Sequence, residues 1–422
     1  MNADVTVCGL GYVGLVLALE ASASGLKVTG YDIDQSVVDA LGAGRSHIDD
    51  VLDDDLIAMT TAGFTATCDV AALGRADVVT ICVPTPLDPA GEPDLGPVRG
   101  AATAVAAQLR PGMLVVLEST SYPGTTDEVV RPILEQGSGL TAGIDFHLAF
   151  SPERIDPGNK VLTMAKTPKV VGGYTPGCTT RAVEFYSRFV DEVVHAKSTR
   201  EAEMAKLLEN TYRQVNIALI NEMAILCHRF GIDVWDVIDC ASTKPFGFQP
   251  FRPGPGVGGH CIPVDPHYLA YKARRIGLRS RLIEAAEQVN TVMPRYVVSR
   301  SAAMLAGHGR RLAGARVLLL GVTYKADISD LRMSPAYEVV RELRTQGAEL
   351  SYHDPYAGGW SVDDVPVTCA GDLEPALRAA DLSILLQEHA VYQPEILSTN
   401  ARLLFDARGV MTRSTDEHVE VL

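Results

Sequence analysis

A chain of 422 residues, 47% hydrophobic and 21% charged, is longer than one hydrophobic core ordinarily serves, so two or three domains are expected. No apolar run reaches the roughly 18 residues of a membrane-spanning helix, and the composition is not that of a disordered chain. With 37 basic against 52 acidic residues the formal net charge is −15 and no basic run stands out, which argues against a broad nucleic-acid surface and leaves any phosphate-bearing ligand to a local site.

The opening MNADVTVCGLGYVGLVLALEAS is apolar enough to suggest a signal peptide. Asp4, the lack of a basic leader stretch and the glycine spacing favour a buried strand entering a helix instead. Within it, Gly9, Gly11 and Gly14 form G-L-G-Y-V-G directly after the strand DVTVC and before the helical pattern LVLALEAS. Such glycines serve a tight turn, close approach of a pyrophosphate and close helix packing, and the helix N-terminus attracts the anion. Asp32 ends the next strand, KVTGYD, where its carboxylate can accept both ribose hydroxyls and would repel a 2′-phosphate. The next basic residue is Arg45, so NAD is expected over NADP.

The runs DVTVCGL, LKVTGYD, ADVVTICVP, MLVVLEST, DFHLAFSP and PKVVGG alternate with helix-length segments, which implies βαβ units and a parallel sheet. Two loops at predicted strand ends, ESTSYPGT with Thr120 and AFSPER with Glu153 and Arg154, lie where open α/β sheets bind ligands. From Ser198 the texture changes to some thirty proline-free residues with apolar positions at helical spacing and Gly231 as a stop. On that helix Lys206 and Asn210 are an i, i+4 pair projecting from one face, either into a site or, with Glu203 and Glu209 nearby, as a solvated face.

The stretch TKPFGFQPFRPGPGVGGHCIPVDP, 243–266, is too rich in proline and glycine for a regular element, and long irregular segments of this kind are more often functional than idle. Its glycines let backbone approach a ligand and its prolines limit freedom. Cys261 there is either a small core residue or a presented thiol, and Asp265 either steadies a turn before Pro266 or acts with that thiol. Helical patterning resumes through HYLAYKARRIG and SRLIEAAEQVNTVMPRYVVSRSAAML. After Gly314 the α/β rhythm returns, without a second GxGxxG, so the two sheets are expected to hold different ligands. In GVTYKADISDLRMSP, Lys325 and Arg332 either form surface salt bridges or meet a phosphate or cofactor amide. The eight cysteines (Cys8, Cys68, Cys82, Cys178, Cys227, Cys240, Cys261, Cys369) lack CxxC or CxH spacing, so reduced thiols, no metal site and a cytoplasmic compartment are expected.

The fold expected is α/β: two Rossmann-like parallel-sheet domains, 1–197 and 308–422, joined by a helical central domain, 198–307, that carries the cysteine loop.

Seven segments in order, GLGYVG, VPTP (Val83–Pro86), ESTSYPGT, SPER, AEMAKLLENTY, PGPGVGGHCIPVDP and GVTYKADISDLRMSP, resemble the UDP-glucose/GDP-mannose dehydrogenase family of nucleotide-sugar 6-dehydrogenases over nearly the whole chain. The resemblance implies a four-electron oxidation of a sugar C6 alcohol to a carboxylate with two NAD per turnover. It also implies an N-terminal NAD-binding domain, a helical middle with dimer contacts, and a C-terminal domain for the nucleotide diphosphate. It makes Cys261 the nucleophile, Lys206 the stabiliser of oxyanions and Asn210 the group that orients substrate. Asp265 and Thr120 would act with an ordered water in proton transfer, and Glu153 would assist thioester hydrolysis. Cofactor contacts extend to Tyr12, Val13, Val83, Pro84, Thr85, Ser119, Thr120 and Arg332. Substrate contacts include Arg154, Lys325, Gly256, Gly258 and Arg252, the last reaching a phosphate from across a dimer interface. A homodimer or higher homo-oligomer is implied, with no nucleic-acid or membrane partner.

The cysteine segment GGHCIPVD departs from the G-G-x-C-x-x-K-D of many UDP-glucose enzymes, with Val264 in place of lysine. It looks more like the branch acting on UDP-N-acetylhexosamines, and it also resembles antibiotic-pathway enzymes that use UDP- or dTDP-glucose. Two competing expectations are a two-electron 3-hydroxyacid dehydrogenase, which needs no thiol, and a non-catalytic sugar-nucleotide-binding protein.

Overall fold

The computed structural model describes residues 3–156, 158–159, 161–412 and 414–422. They form two compact units, one running through Glu209 and taking in His267–Arg279, the other made of Asn210–Pro266 and Ser280–Leu422.

The first unit is built on an eight-stranded sheet: β1 (Ala3–Cys8), β2 (Val28–Tyr31), β3 (Thr65–Thr67), β4 (Ala76–Ile81), β5 (Leu114–Leu117), β6 (His147–Phe150), β7 (Lys169–Gly173) and β8 (Val193–His195). Their order is β3-β2-β1-β4-β5-β6-β7-β8. Leu114 to Leu117 are all buried, as expected for a parallel strand covered on both faces. Strand order reverses between β1 and β4, and the crevice at the C-terminal ends of such strands is where open α/β sheets take ligands.

One strand departs from the parallel expectation. β7 pairs antiparallel with β6, Ala149 opposite Gly173 and Phe150 opposite Gly172. The described residues between them form no helix. A parallel return needs a crossover connection, and without one the chain doubles back.

The second unit carries a six-stranded, all-parallel sheet of β9 (Arg316–Leu320), β10 (Glu349–His353), β13 (Thr368–Cys369), β14 (Leu382–Leu385), β15 (Leu404–Asp406) and β16 (Val419–Val421), with β11 (Ser361–Val362) and β12 (Val365–Pro366) forming a separate hairpin. Its order, β13-β10-β9-β14-β15-β16, reverses between β9 and β14. The helix Arg281–Gly307 contributes Met293, Val297, Val298 and Leu305 to its core.

The expected long helix spans Thr199–Phe230. Its inward face is unusual in being polar: Glu203, Lys206, Asn210, Gln214 and Asn221 are all buried. Charged and amide side chains are seldom buried without partners, so this stripe marks the helix as more than packing. The solvated-face reading of Lys206, Asn210 and Glu203 is overturned by that burial. Of the stretch 243–266, residues 243–264 form neither helix nor strand, as their composition foretold, whereas Asp265 and Pro266 already belong to the helix Asp265–Arg275.

Candidate active site

In the first unit the loops after β1, β4 and β5 lie side by side. Gly9 has φ +92°, and a Cβ there would stand 2.9 Å from the Cys82 carbonyl oxygen at the exit of β4. The helix Tyr12–Ala23 starts immediately afterwards, with Tyr12 and Val13 half-buried in its first turn. A Cβ on Gly14 would fall 1.8 Å from the Gly9 carbonyl oxygen, so only glycine lets the helix sit this close to the loop. Gly11 differs: a Cβ there would meet no protein atom within 4 Å. The room it leaves is open, which fits a pyrophosphate drawn to the helix N-terminus.

Asp32 faces the same loop. The Leu10 N–H donates to its Oδ2 at 2.8 Å and the Asp34 N–H to its Oδ1 at 3.0 Å. Each oxygen keeps acceptor capacity for a ribose hydroxyl, so these residues fit NAD. The Ser119 hydroxyl lies within hydrogen-bond distance of the Val83 carbonyl (2.7 Å) and the Ile81 carbonyl (3.2 Å), tying the β5 loop to the β4 loop. Pro84 is exposed there and Thr85 buried.

Half-buried Thr120 lies on a loop anchored from the long helix. Glu203 accepts from the N–H of Gly124 and from the N–H and hydroxyl of Thr126. Burial drives the Glu203 carboxyl up to about 7, against the pull of these donors.

Glu153, after β6, takes the N–H groups of Arg154 and Ile155 on Oε1. Its buried Oε2 makes no hydrogen bond among the described residues. Burial raises this carboxyl, Lys169 opposes the rise, Glu118 adds to it and Lys206 opposes it. Lys206 is thus a buried cation close enough to influence Glu153. The Arg154 guanidinium is engaged by Glu209 at 2.6 Å and by the Pro168 carbonyl at 2.6 Å. Glu118 and Lys169, buried beside Glu153, carry no expectation from the sequence reading. The available signal was a charge at the edge of an apolar run, in LVVLE and PKVVGG.

In the second unit Cys261 is exposed, which overturns the core reading of this thiol. Cys8, Cys82, Cys178 and Cys227 are the buried ones, and burial pushes Cys8 to about 12, the state of an inert thiol. The Cys261 carbonyl accepts from the Asp265 N–H at 2.9 Å. Asp265 opens the helix Asp265–Arg275 and is buried there, so it belongs to a helical first turn rather than a loose turn before Pro266. The Asn210 side-chain amide donates to Asp265 Oδ2, joining the long helix to the end of the cysteine loop. Farther along that helix, Asn221 Oδ1 accepts from the Gly254 N–H at 3.0 Å.

The loop's glycines face protein. A Cβ on Gly258 would stand 2.7 Å from Tyr324 Cβ, one on Gly259 2.7 Å from the Tyr324 ring, and one on Gly256 3.3 Å from Pro335. The Gly259 N–H donates to the Arg332 carbonyl at 3.0 Å. In the direction a side chain would take, Gly256 and Gly258 thus meet the neighbouring GVTYKADISDLRMSP loop rather than open space. That contact brings Lys325 and Arg332 onto the same loop pair as Cys261. Arg332 pairs with Asp330 at 2.5 Å, so the salt-bridge alternative holds for it. Burial, aided by Arg332 and opposed by Asp330, lowers His260 from its ordinary value. Exposed Arg252 stacks over the Trp235 ring at 5.8 Å. Among the described residues no group of three His, Cys, Asp or Glu is placed to hold a metal, and no helix is long and apolar enough to cross a membrane.

Comparison with known proteins agrees with this layout. The chain is 38% identical over 410 residues to the UDP-N-acetyl-D-glucosamine 6-dehydrogenase of Pseudomonas aeruginosa, covering 96% of this chain and 95% of that one. Its structure superposes on the UDP-D-ManNAc dehydrogenase of Pyrococcus horikoshii with a TM-score of 0.90 at 32% identity, covering 99% and 98% of the two chains. With a UDP-glucose dehydrogenase from Pyrobaculum islandicum the TM-score is 0.88 at 29% identity, covering 100% and 97%. Family models for the NAD binding, central and UDP binding domains match residues 3–190, 200–292 and 318–413, and the chain belongs to the UDP-glucose/GDP-mannose dehydrogenase family.

Proposed function

We propose that this protein oxidises the C6 alcohol of a UDP-N-acetylhexosamine to the uronic acid, by way of a thioester on Cys261. The observation that carries the reading is the exposed Cys261 on a loop whose far end is tied to Asn210 through Asp265 and whose glycines pack against the Lys325 loop. The choice of sugar is supported by the GGHCIP segment and by the relatives named for UDP-N-acetylated sugars.

Bound NAD supplies the oxidising equivalents, one NAD for each of two rounds. In the first, the C6 alcohol becomes an aldehyde, and Thr120 and Asp265, through a water, take the hydroxyl proton. An aldehyde offers no hydroxyl for a second round. The Cys261 thiolate therefore adds to the carbonyl carbon, giving a thiohemiacetal whose oxyanion Lys206 stabilises. Removal of two electrons and a proton leaves the thioester. Water, deprotonated with help from Glu153, then breaks the C–S bond, releasing the carboxylate and restoring the thiol. Lys325, Arg252 and Arg154 serve the nucleotide diphosphate and the walls around it. A second copy of the chain pairs through the helical middle, where Leu208, Tyr212, Leu219, Leu226 and Phe230 leave an apolar stripe exposed on the long helix.

The test is NADH release from UDP-N-acetylglucosamine, UDP-N-acetylmannosamine, UDP-glucose, dTDP-glucose and GDP-mannose. Two NADH per UDP-N-acetylhexosamine and an acid product are expected, with an adduct on Cys261 that Cys261→Ala abolishes. One NADH with a ketone product would instead indicate a 3-hydroxyacid dehydrogenase. Preference for dTDP- or UDP-glucose would overturn the choice of sugar. Light scattering of the purified protein should show a dimer or larger, and a monomer would remove the pairing.

A further inference from the structure

We propose that Lys169 and Glu118 are positioning residues that hold Glu153 in place and set the charge it carries, a role that rests on the reading of Glu153 above. The antiparallel β7 is what makes the arrangement possible. Phe150 lies opposite Gly172, and continuing that register three residues along each strand puts Glu153 opposite Lys169. A parallel β7 would have sent its first residue to the other edge of the sheet. Glu118 follows β5, on the other side of β6, so three adjacent strands deliver one cation and two carboxylates to the same edge.

The distances show how the cation is shared. Lys169 Nζ stands 2.6 Å from Glu118 Oε2, 3.2 Å from the Pro152 carbonyl and 3.8 Å from Glu153 Oε2. The Tyr186 hydroxyl donates to the other Glu118 oxygen at 2.5 Å, and the lysine lies over the Tyr186 ring at 5.2 Å. The side chains of Lys169, Glu118 and Glu153 are 4%, 0% and 11% exposed, so water compensates little of this charge. A buried carboxylate without a counter-charge is costly. Glu153 Oε2 makes no hydrogen bond among the described residues, which leaves nearby charge as its compensation, Lys169 first and Lys206 after it. Glu118, holding the closer bond, weakens that compensation. The bond from Lys169 to the Pro152 carbonyl fixes the backbone one residue before Glu153.

The other ionisable groups packed around the cluster are Lys206 on the long helix, Tyr186 at the end of the helix Pro176–Tyr186, and Cys82 after β4. Burial acts to lower Lys169, and the two carboxylates more than offset it and hold the ammonium charged. The two partners of Glu153 therefore pull in opposite senses. Loss of Lys169 should make Glu153 harder to ionise, and loss of the Glu118 charge should make it easier. A salt bridge serving stability alone would weaken the fold in both variants and leave Glu153 where it is.

The experiment is an infrared pH titration of the full-length protein, following the protonated-carboxyl stretch that Glu153→Gln removes. Lys169→Met should raise its midpoint, and Glu118→Gln lower it, by about one pH unit or more. Glu118→Gln keeps an acceptor for Lys169, and its N–H₂ can donate to the Tyr186 oxygen, while a buried charge is removed, so it alone decides the matter if Lys169→Met does not fold. Midpoints that stay put, or move in the same direction, sink the proposal whatever Glu153 does in catalysis. The rate of acid release from the quenched thioester addresses the other question. If Glu153→Gln releases acid as fast as the parent protein, the hydrolytic role of Glu153 is wrong even where the midpoints shift as expected.

Discussion

The buried carboxylate of Glu203 accepts both the backbone N–H and the hydroxyl of Thr126, at 2.8 and 2.7 Å. With the Gly124 N–H at 2.5 Å, one side chain of the long helix satisfies three donors of the Thr120 loop. Replacing Glu203 by Gln removes an acceptor and turns an amide N–H₂ toward a backbone donor, which should cost about 1–3 kcal/mol. The pH dependence has a definite sign. Burial lifts this carboxyl from 4.5 to about 7, so between those values the folded chain holds a proton that the unfolded chain has lost. Stability from this group is complete below the lower value and falls as pH rises through the window, by up to roughly 3 kcal/mol. Glu203→Gln lacks that loss, so its deficit in denaturant unfolding should narrow as the pH is raised. A gap that widens would contradict the buried, proton-binding Glu203.

Gly14 and Gly11 should behave differently, although they belong to one motif. A Cβ on Gly14 meets the Gly9 carbonyl oxygen at 1.8 Å, a backbone atom that cannot step aside. Gly14→Ala should push the first helix off the sheet, lowering the unfolding midpoint and NAD affinity together, at about 1–3 kcal/mol or more. Gly11→Ala meets no protein atom, so it should fold like the parent and lose NAD binding alone. Calorimetric NAD titration beside thermal unfolding separates the two. Equal destabilisation by both substitutions would show that Gly11 is not kept for the ligand.

Asp32 holds the β1 loop through the Leu10 N–H and offers the remaining lone pairs to a ribose. Asp32→Asn replaces one acceptor by a donor and removes the negative charge. NAD should bind about tenfold more weakly or worse, while NADP should gain relative to NAD because its phosphate no longer meets a carboxylate. The ratio of kcat/KM for the two cofactors measures this, and an unchanged ratio would free Asp32 of any part in cofactor choice.

The parts that could be read from the chain beforehand are those written in local pattern. GLGYVG between a strand and a helix, Asp32 at the next strand end, and the proline-free run after Ser198 each depend on spacing along a single element. The antiparallel turn of β7 was not legible, because PKVVGG is equally apolar in either direction. Nor were Glu203 and Lys169, since periodicity tells which face of a helix or strand is buried but not that a carboxylate or ammonium on it has partners from distant segments. The glycines of GPGVGGHC suggest close approach of a ligand, and a Cβ on Gly256, Gly258 or Gly259 would meet protein. What approaches, the Tyr324 and Pro335 side chains, comes from a loop some seventy residues later and could be found only in the fold.

The second sheet repeats the first sheet's acid and closes it off, which yields a last expectation. The Val322 N–H donates to Asp354 Oδ2 at 2.7 Å after β9 and β10, as the Leu10 N–H donates to Asp32 after β1 and β2. Here His389 Nε2 also lies 3.0 Å from Asp354 Oδ2, and His389 is buried. The other ring nitrogen, Nδ1, accepts from the Asp327 N–H at 2.9 Å, so the proton sits on Nε2 and points at the carboxylate. Asp354 is thus engaged from inside the protein, and His389 ties the Lys325 loop, through Nδ1, to Asp354, through Nε2. His389→Ala should cost about 1–3 kcal/mol by removing one buried donor from Asp354, which keeps the Val322 and Thr323 N–H groups. His389→Gln, which can restore the donor to Asp354, should recover more of that loss than His389→Asn, which can restore only the acceptor for Asp327, because the bond to the carboxylate is charge-assisted. Unfolding midpoints of the three variants give the ranking, and Asn outranking Gln would mean that the backbone bond, not the carboxylate, is what His389 secures.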